Sequence, residues 1–170
     1  MLCKVTKKLL PSEDCFTCGV NNPAGVHVRY YGMENGELAA LLTFRSIHQS
    51  YPGRVHGGVI TAVLDEAAGE ALRVIEENAW GVTGEINVRF RKPVPYDVPL
   101  VVRARIVKNT KWLFNGEARL YLPSGEVADI AVAKYMRLPY DAITENGSAA
   151  AGVTDVLDDD DPKEIDMPEW

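Results

Sequence analysis

The chain has 170 residues, which fits one domain and leaves little room for a second. Apolar residues make up 46% and charged residues 25%, a composition that excludes collagen-like, disulfide-scaffold and wholly disordered chains. The net charge of -6 is unevenly spread: Asp141 to Trp170 holds ten acids and one base, and residues 1–140 hold 14 acids and 17 bases. A body so mildly basic suits a small anionic ligand and is too weak for nucleic acid.

Residues Met1 to Lys8 carry charge without an apolar core or a small-residue cleavage site, so no leader is expected there. No apolar run approaches the roughly 20 residues that span a bilayer, and a cytoplasmic location follows as the expectation. Cys15 and Cys18 form a Cys-x-x-Cys, which is half of a zinc site or a redox pair. Only Cys3 and His27 offer themselves as further ligands, so a reduced pair in a tight turn is expected and no metal site. Three cysteines also argue against a secreted framework of bridges. His27 and His48 have no motif around them.

Val26 to Tyr31 and Glu37 to Phe44 read as strands joined by the turn Glu34-Asn35-Gly36. From Gly57 to Glu77 the period changes: Val59, Ile60, Val63, Leu64, Ala67, Ala68, Ala71, Leu72 and Ile75 recur at three- and four-residue steps, an amphipathic helix of about twenty residues. Its small residues, Ala62, Ala67, Ala68, Gly69 and Ala71, admit a close neighbour. Glu85 to Arg91 alternates strictly, with Ile86, Val88 and Phe90 on one face. Pro93, Pro95 and Pro99 break the chain before strands at Leu100–Val107, Leu113–Leu122 and Val127–Leu138, the last two flanking Pro123-Ser124-Gly125. The expected architecture is α+β, an antiparallel sheet wrapped around one long helix.

The last thirty residues differ in kind. Gly147 to Gly152 is linker-like and Asp158 to Asp161 is a self-repelling block, so a solvated, mobile tail is expected. The alternative is that Ile165, Met167 and Trp170 dock on a groove or a neighbouring subunit.

Asp65 and Glu66 sit mid-helix among apolar neighbours, where Asp is a poor helix former. A solvated or capped acid is the simpler reading of Asp65. His56-Gly57-Gly58 stands at the helix entrance, where the first N–H groups lack intrahelical partners and the dipole is positive. Such donors polarise a carbonyl oxygen, and an acid one or two turns on is placed to act on water at the same carbon.

The segment Tyr51 to Ala67 resembles the hotdog-fold acyl-CoA thioesterases of the phenylacetate-pathway (PaaI) type, which carry a His-Gly-Gly turn before the central helix and an acid nine positions after the histidine. Thr83 to Pro95 continues the likeness, and Cys15 to Gly25 resembles the opening of many members. The resemblance implies a hotdog domain over residues 1–140, followed by the tail at 141–170. It implies hydrolysis of a CoA thioester to a carboxylic acid and free CoA, with no cofactor beyond the substrate's own coenzyme A. By position it makes Asp65 the catalytic carboxylate, as base or nucleophile, and gives the thioester oxygen to the Gly57 N–H, with His56 beside it. Thr83 falls where a Ser or Thr of the partner subunit positions water. Six residues before His56, better-known members carry Asn or Gln; here stands Ser50, and neighbouring Gln49 takes that role only if the loop shifts by one residue. Glu66 reads as a neighbour without a catalytic role. Arg89, Arg91 and Lys92 are cations for the phosphates of CoA or, more simply, a solvated strand end. A homodimer or homotetramer with shared sites is implied. A non-catalytic acyl-CoA-binding module and an acyl-CoA dehydratase are the alternatives.

Overall fold

The computed structural model describes residues 1–144, 154–155 and 157–170. The strands are β1 (Leu2–Leu9), β2 (Arg29–Met33), β3 (Leu38–Leu42), β4 (Gly81–Phe90), β5 (Leu100–Asn109), β6 (Leu113–Tyr121), β7 (Val127–Arg137), β8 (Thr154–Asp155) and β9 (Glu164–Asp166). The long helix α1 spans Gly57–Ile75, and a single turn, α2, spans Tyr140–Ile143. The sheet is ordered β4-β7-β6-β5-β3-β2-β1-β8, with β9 also on β1, and every pairing is antiparallel.

Period-2 alternation in the central strands gives the sheet two faces. Leu38, Ala40, Val102, Ala104, Ala118 and Leu120 point into a core with Ile60, Val63, Leu64, Ala67, Ala68 and Leu72 of α1. The helix lies close to the strands because small residues meet: a Cβ at Gly116 would lie 2.4 Å from the Ala68 carbonyl oxygen. Ile75, expected in the helical stripe, is 49% exposed at the helix end.

The opposite face carries a second core. Cys3, Val5, Tyr31, Met33 and Ala39 pack there against Ile165 and Met167. The end of the chain is therefore docked, which corrects the expectation of a mobile tail for residues 157–170. Cys3 pairs with Ile165 across β1 and β9, and Met167 is completely buried. The Trp170 ring lies 3.9 to 4.9 Å from the Arg103, Arg105 and Arg119 guanidiniums. The acidic block has a local partner as well, since Asp161 accepts from Tyr31 Oη at 2.7 Å and Lys8 Nζ at 3.0 Å. Docking is on the chain's own sheet; the linker-like Gly147 to Gly152 lies outside the described residues.

The strand β4 closes one end of the sheet. It bonds β7 on one side only, and Phe90 on it is 55% exposed. Beside it on β7, Val132 and Met136 are 45% and 55% exposed. A ten-residue edge with apolar neighbours is a surface that natural sheets do not leave bare.

Candidate active site at the two ends of the edge strand

The helix starts at His56, whose side chain acts as the cap. His56 Nδ1 accepts the Gly58 N–H at 2.9 Å, so the neutral ring carries its proton on Nε2. His56 O takes the N–H groups of Val59 and Ile60 at 3.0 and 3.1 Å. That leaves the Gly57 N–H, which donates to no atom among the described residues. Gly57 opens into a cavity of about 380 Å³ lined also by Arg54, Ile60, Phe90, Arg91, Lys92 and Asp129. The arrangement offers one N–H donor on the positive end of a nineteen-residue helix.

Asp129 in this cavity was not foreseen. It is fully buried, and neither carboxylate oxygen has a hydrogen-bond partner among the described residues. Burial pushes its pKa up to about 7.

Asp65 lies in a different cavity, of about 280 Å³, with Thr83, Tyr135, Gly69 and Glu66. Thr83 Oγ1 is 3.0 Å from both Asp65 carboxylate oxygens and donates to them. Tyr135 Oη shares its proton between two Asp65 acceptors, donating to the backbone O at 2.6 Å and to Oδ1 at 3.0 Å. Burial, and then the Asp65 charge, raise the Tyr135 pKa, so this phenol stays protonated and remains a donor. Gly69 makes room for it, since a Cβ there would sit 3.3 Å from the ring. Tyr135 was missed in the sequence because a tyrosine on an alternating strand carries no mark of what its hydroxyl meets.

The structure thus brings together Asp65 and Thr83, and separately Gly57 with Arg91 and Lys92. It also corrects two expectations. Asp65 is eight residues from Gly57, about 12 Å along the helix at 1.5 Å per residue, so one chain's donor and acid do not reach the same carbon. Thr83, expected on the partner's side of the acid, bonds Asp65 of its own chain. Gln49 is exposed, bridged to Val55 and absent from both cavity walls. Arg89 also stays outside them, and Lys92 pairs with Glu126.

Around the Asp65 cavity lies a second group of titratable side chains, of which Cys18, Glu66 and Glu70 line it. Glu66 is pushed up to about 8 by burial, then by the nearby Glu70, Cys15 and Asp65 charges. Glu70 is raised by burial against the pull of Arg73, which donates to it at 2.7 Å. Hydrogen bonding with Cys18 lowers the Cys15 thiol and raises Cys18.

A sheet wrapped around one helix that carries a capped His-Gly-Gly entrance is the hotdog fold. The chain resembles the hotdog thioesterases: the Thioesterase superfamily model matches residues 52–128. An esterase-named protein of Saccharolobus solfataricus is 27% identical over 106 residues, 62% of this chain and 65% of that protein. Acyl-coenzyme A thioesterase 13 of Mus musculus is 30% identical over 66 residues, 39% of this chain and 47% of that protein. The chain therefore spans less than two thirds of these curated relatives. Among solved structures, a thioesterase superfamily protein superposes with a TM-score of 0.68 at 22% identity, covering 73% of this chain and 60% of its own. The PaaI protein of E. coli does so with 0.60 at 15% identity, covering 66% and 80%. At these identities the superpositions speak for the fold.

Proposed function

We propose that this protein is an acyl-CoA thioesterase that acts as a homodimer, with each active site assembled from two chains. One observation carries the reading: the exposed edge strand β4 has Asp65 at one end and Gly57 at the other. Thr83 near its start holds the acid. Near its end, the Phe90 ring lies 3.4 Å from where a Gly57 Cβ would be. When two β4 strands pair antiparallel about a twofold axis, the Thr83 end of one lies against the Phe90 end of the other. Asp65 of one chain then faces Gly57 of the partner subunit, twice over. The same pairing covers the bare edge.

In each site the thioester oxygen takes the free Gly57 N–H at the helix entrance, where charge develops during attack. Asp65 of the other chain removes a proton from water or attacks directly; both need the same carboxylate in the same place. In the water route, the water oxygen bonds the carbonyl carbon, the C–S bond breaks, and the thiol of CoA leaves with a proton. Thr83 and Tyr135 fix the carboxylate by donating to it. Arg54, Arg91 and Lys92 flank the Gly57 cavity as cations for the phosphates of CoA. The likeness to an acyl-coenzyme A thioesterase supports the choice of substrate class, and a cytoplasmic location is part of the proposal.

The test combines thiol release from a panel of acyl-CoAs with subunit mixing. Asp65→Asn and Gly57→Val are each nearly inactive alone. Mixed through denaturation and refolding, they return about a quarter of wild-type activity, since half of the dimers are mixed and each has one intact site. Absence of recovery in mixtures shown to contain mixed dimers sinks the shared site. Bound CoA thioester without thiol release makes the protein a binding module instead.

A further inference from the structure

We infer that Cys15, Cys18 and Glu66 form a binding site for a thiophilic divalent cation of the zinc type, one that fastens the loop before β2 to the middle of α1. The site is independent of the thioesterase reading. The two thiol sulfurs and a Glu66 carboxylate oxygen all lie within 4.8 Å of one another. Around tetrahedral zinc, with bonds of about 2.3 Å to sulfur and 2.0–2.2 Å to oxygen, ligand atoms stand roughly 3.5–4 Å apart. A contraction of about 1 Å by side-chain rotation closes the set.

The turn that presents the sulfurs is built tightly. Gly19 N–H donates to Cys15 O at 2.9 Å, folding the chain back over Phe16 and Thr17. A Cβ on Gly19 would lie 2.5 Å from both Cys15 N and Glu13 O, so no other residue fits there. Cys15 Sγ touches Thr17 Oγ1 at 3.1 Å, and both thiols are free.

The surroundings lack what a cation would supply. Glu66 accepts no hydrogen bond among the described residues, and the nearby Arg73 donates to Glu70. Tyr30 is 2% exposed, its hydroxyl has no partner among the described residues, and it lies on the wall of the cavity that Cys18 and Glu66 also line. A metal-bound water in that cavity supplies the fourth ligand and a partner for Tyr30. Two sulfurs and one oxygen favour zinc or cobalt over magnesium or calcium, which take oxygen ligands. Neither earlier candidate takes part: Cys3 is buried in the outer core, and the exposed His27 faces Asn22 O through Nε2 at 2.8 Å. Both sulfurs bind as thiolates, and the protons the ligands give up go to solvent.

The experiment titrates the full-length, reduced, chelator-treated protein with Co²⁺ and reads thiolate-to-metal charge-transfer absorption. One cobalt per chain is expected, displaced by Zn²⁺, with a rise in Tm on zinc addition. Cys15→Ser and Cys18→Ser abolish the band, and Cys3→Ser retains it. Glu66→Gln weakens binding by at least the roughly 10-fold that even outer-sphere changes cost. Alkylation of the unaltered protein, mapped by mass spectrometry, guards against variants that fail to fold: zinc protects Cys15 and Cys18. Absence of the band, its survival in a folded Cys15→Ser/Cys18→Ser protein, unchanged affinity in Glu66→Gln, or no zinc protection overturns the site. A Cys15–Cys18 disulfide that forms equally fast with and without zinc does so too.

Discussion

The two cavities along α1 are built from opposite halves of one chemistry. The one at the helix entrance has a free donor, positive charge and Phe90, but its own acid, Asp129, is buried and unpartnered. The one in mid-helix has an oriented carboxylate with two hydroxyl donors and no helix entrance. In the proposed reading, either alone is half a hydrolase. Their separation by two turns of one helix, and their proposed reunion across an edge strand, make the second chain part of the mechanism.

Five changes break or sharpen that contrast. The largest effect belongs to Asp65→Asn, which keeps the shape and removes the charge. Turnover of the best acyl-CoA falls by about 10²- to 10⁴-fold while circular dichroism is unchanged. At the other cavity, Gly57→Val places methyl groups over the donor, and kcat falls by about 10²- to 10³-fold. The neighbour it meets is only the Phe90 ring at ordinary contact distance, so the fold holds.

Thr83→Ala and Tyr135→Phe each remove one donor to a charged oxygen, and kcat drops about tenfold for either. Equal kcat in the double variant and the unaltered protein would show that the carboxylate needs no orienting. The last effect is on stability, not on turnover, and concerns Asp129. Its folded pKa, near 7, is raised above the ordinary carboxylate value, so its carboxyl favours folding at low pH. That contribution is lost as pH rises through 7. Tm measured from pH 5 to 9 should therefore fall more steeply for the unaltered protein than for Asp129→Asn. The gap above pH 8 is on the order of a few kcal/mol.

Much of the helix side of the molecule was legible. The three- and four-residue steps from Val59 to Leu72 fixed α1, and its predicted start at Gly57 matches. Alternation and turn residues located β5 to β7 near their observed ends, while β4 starts at Gly81, four residues before the alternation that marked it. Asp65 and Thr83 were picked out by resemblance, and the structure joins them by a hydrogen bond. Contacts between distant residues were not legible. Tyr135 and Asp129 read as ordinary strand residues, and only tertiary packing puts a phenol on Asp65 and a carboxyl beside Gly57. Glu66 looked idle because its neighbours Cys15 and Cys18 arrive from fifty residues upstream. At the outer face, Cys3 and Val5 alternate as strand residues do, but the partner strand comes from a segment whose charge reads as solvated.

That outer strand sets an order on how the chain becomes folded. β1 bonds β2 on one side and receives β9, Glu164–Asp166, on the other, so its second partner is made long after it. During synthesis the α1 core can close while Val5, Tyr31 and Met33 still face water. Their cover arrives only with Ile165 and Met167. Closing so long a loop is slow relative to local hairpins, and until it closes the strip is open to wrong partners. A chaperone that binds nascent apolar strands would meet this protein at its outer face and be displaced by the arriving β9 segment.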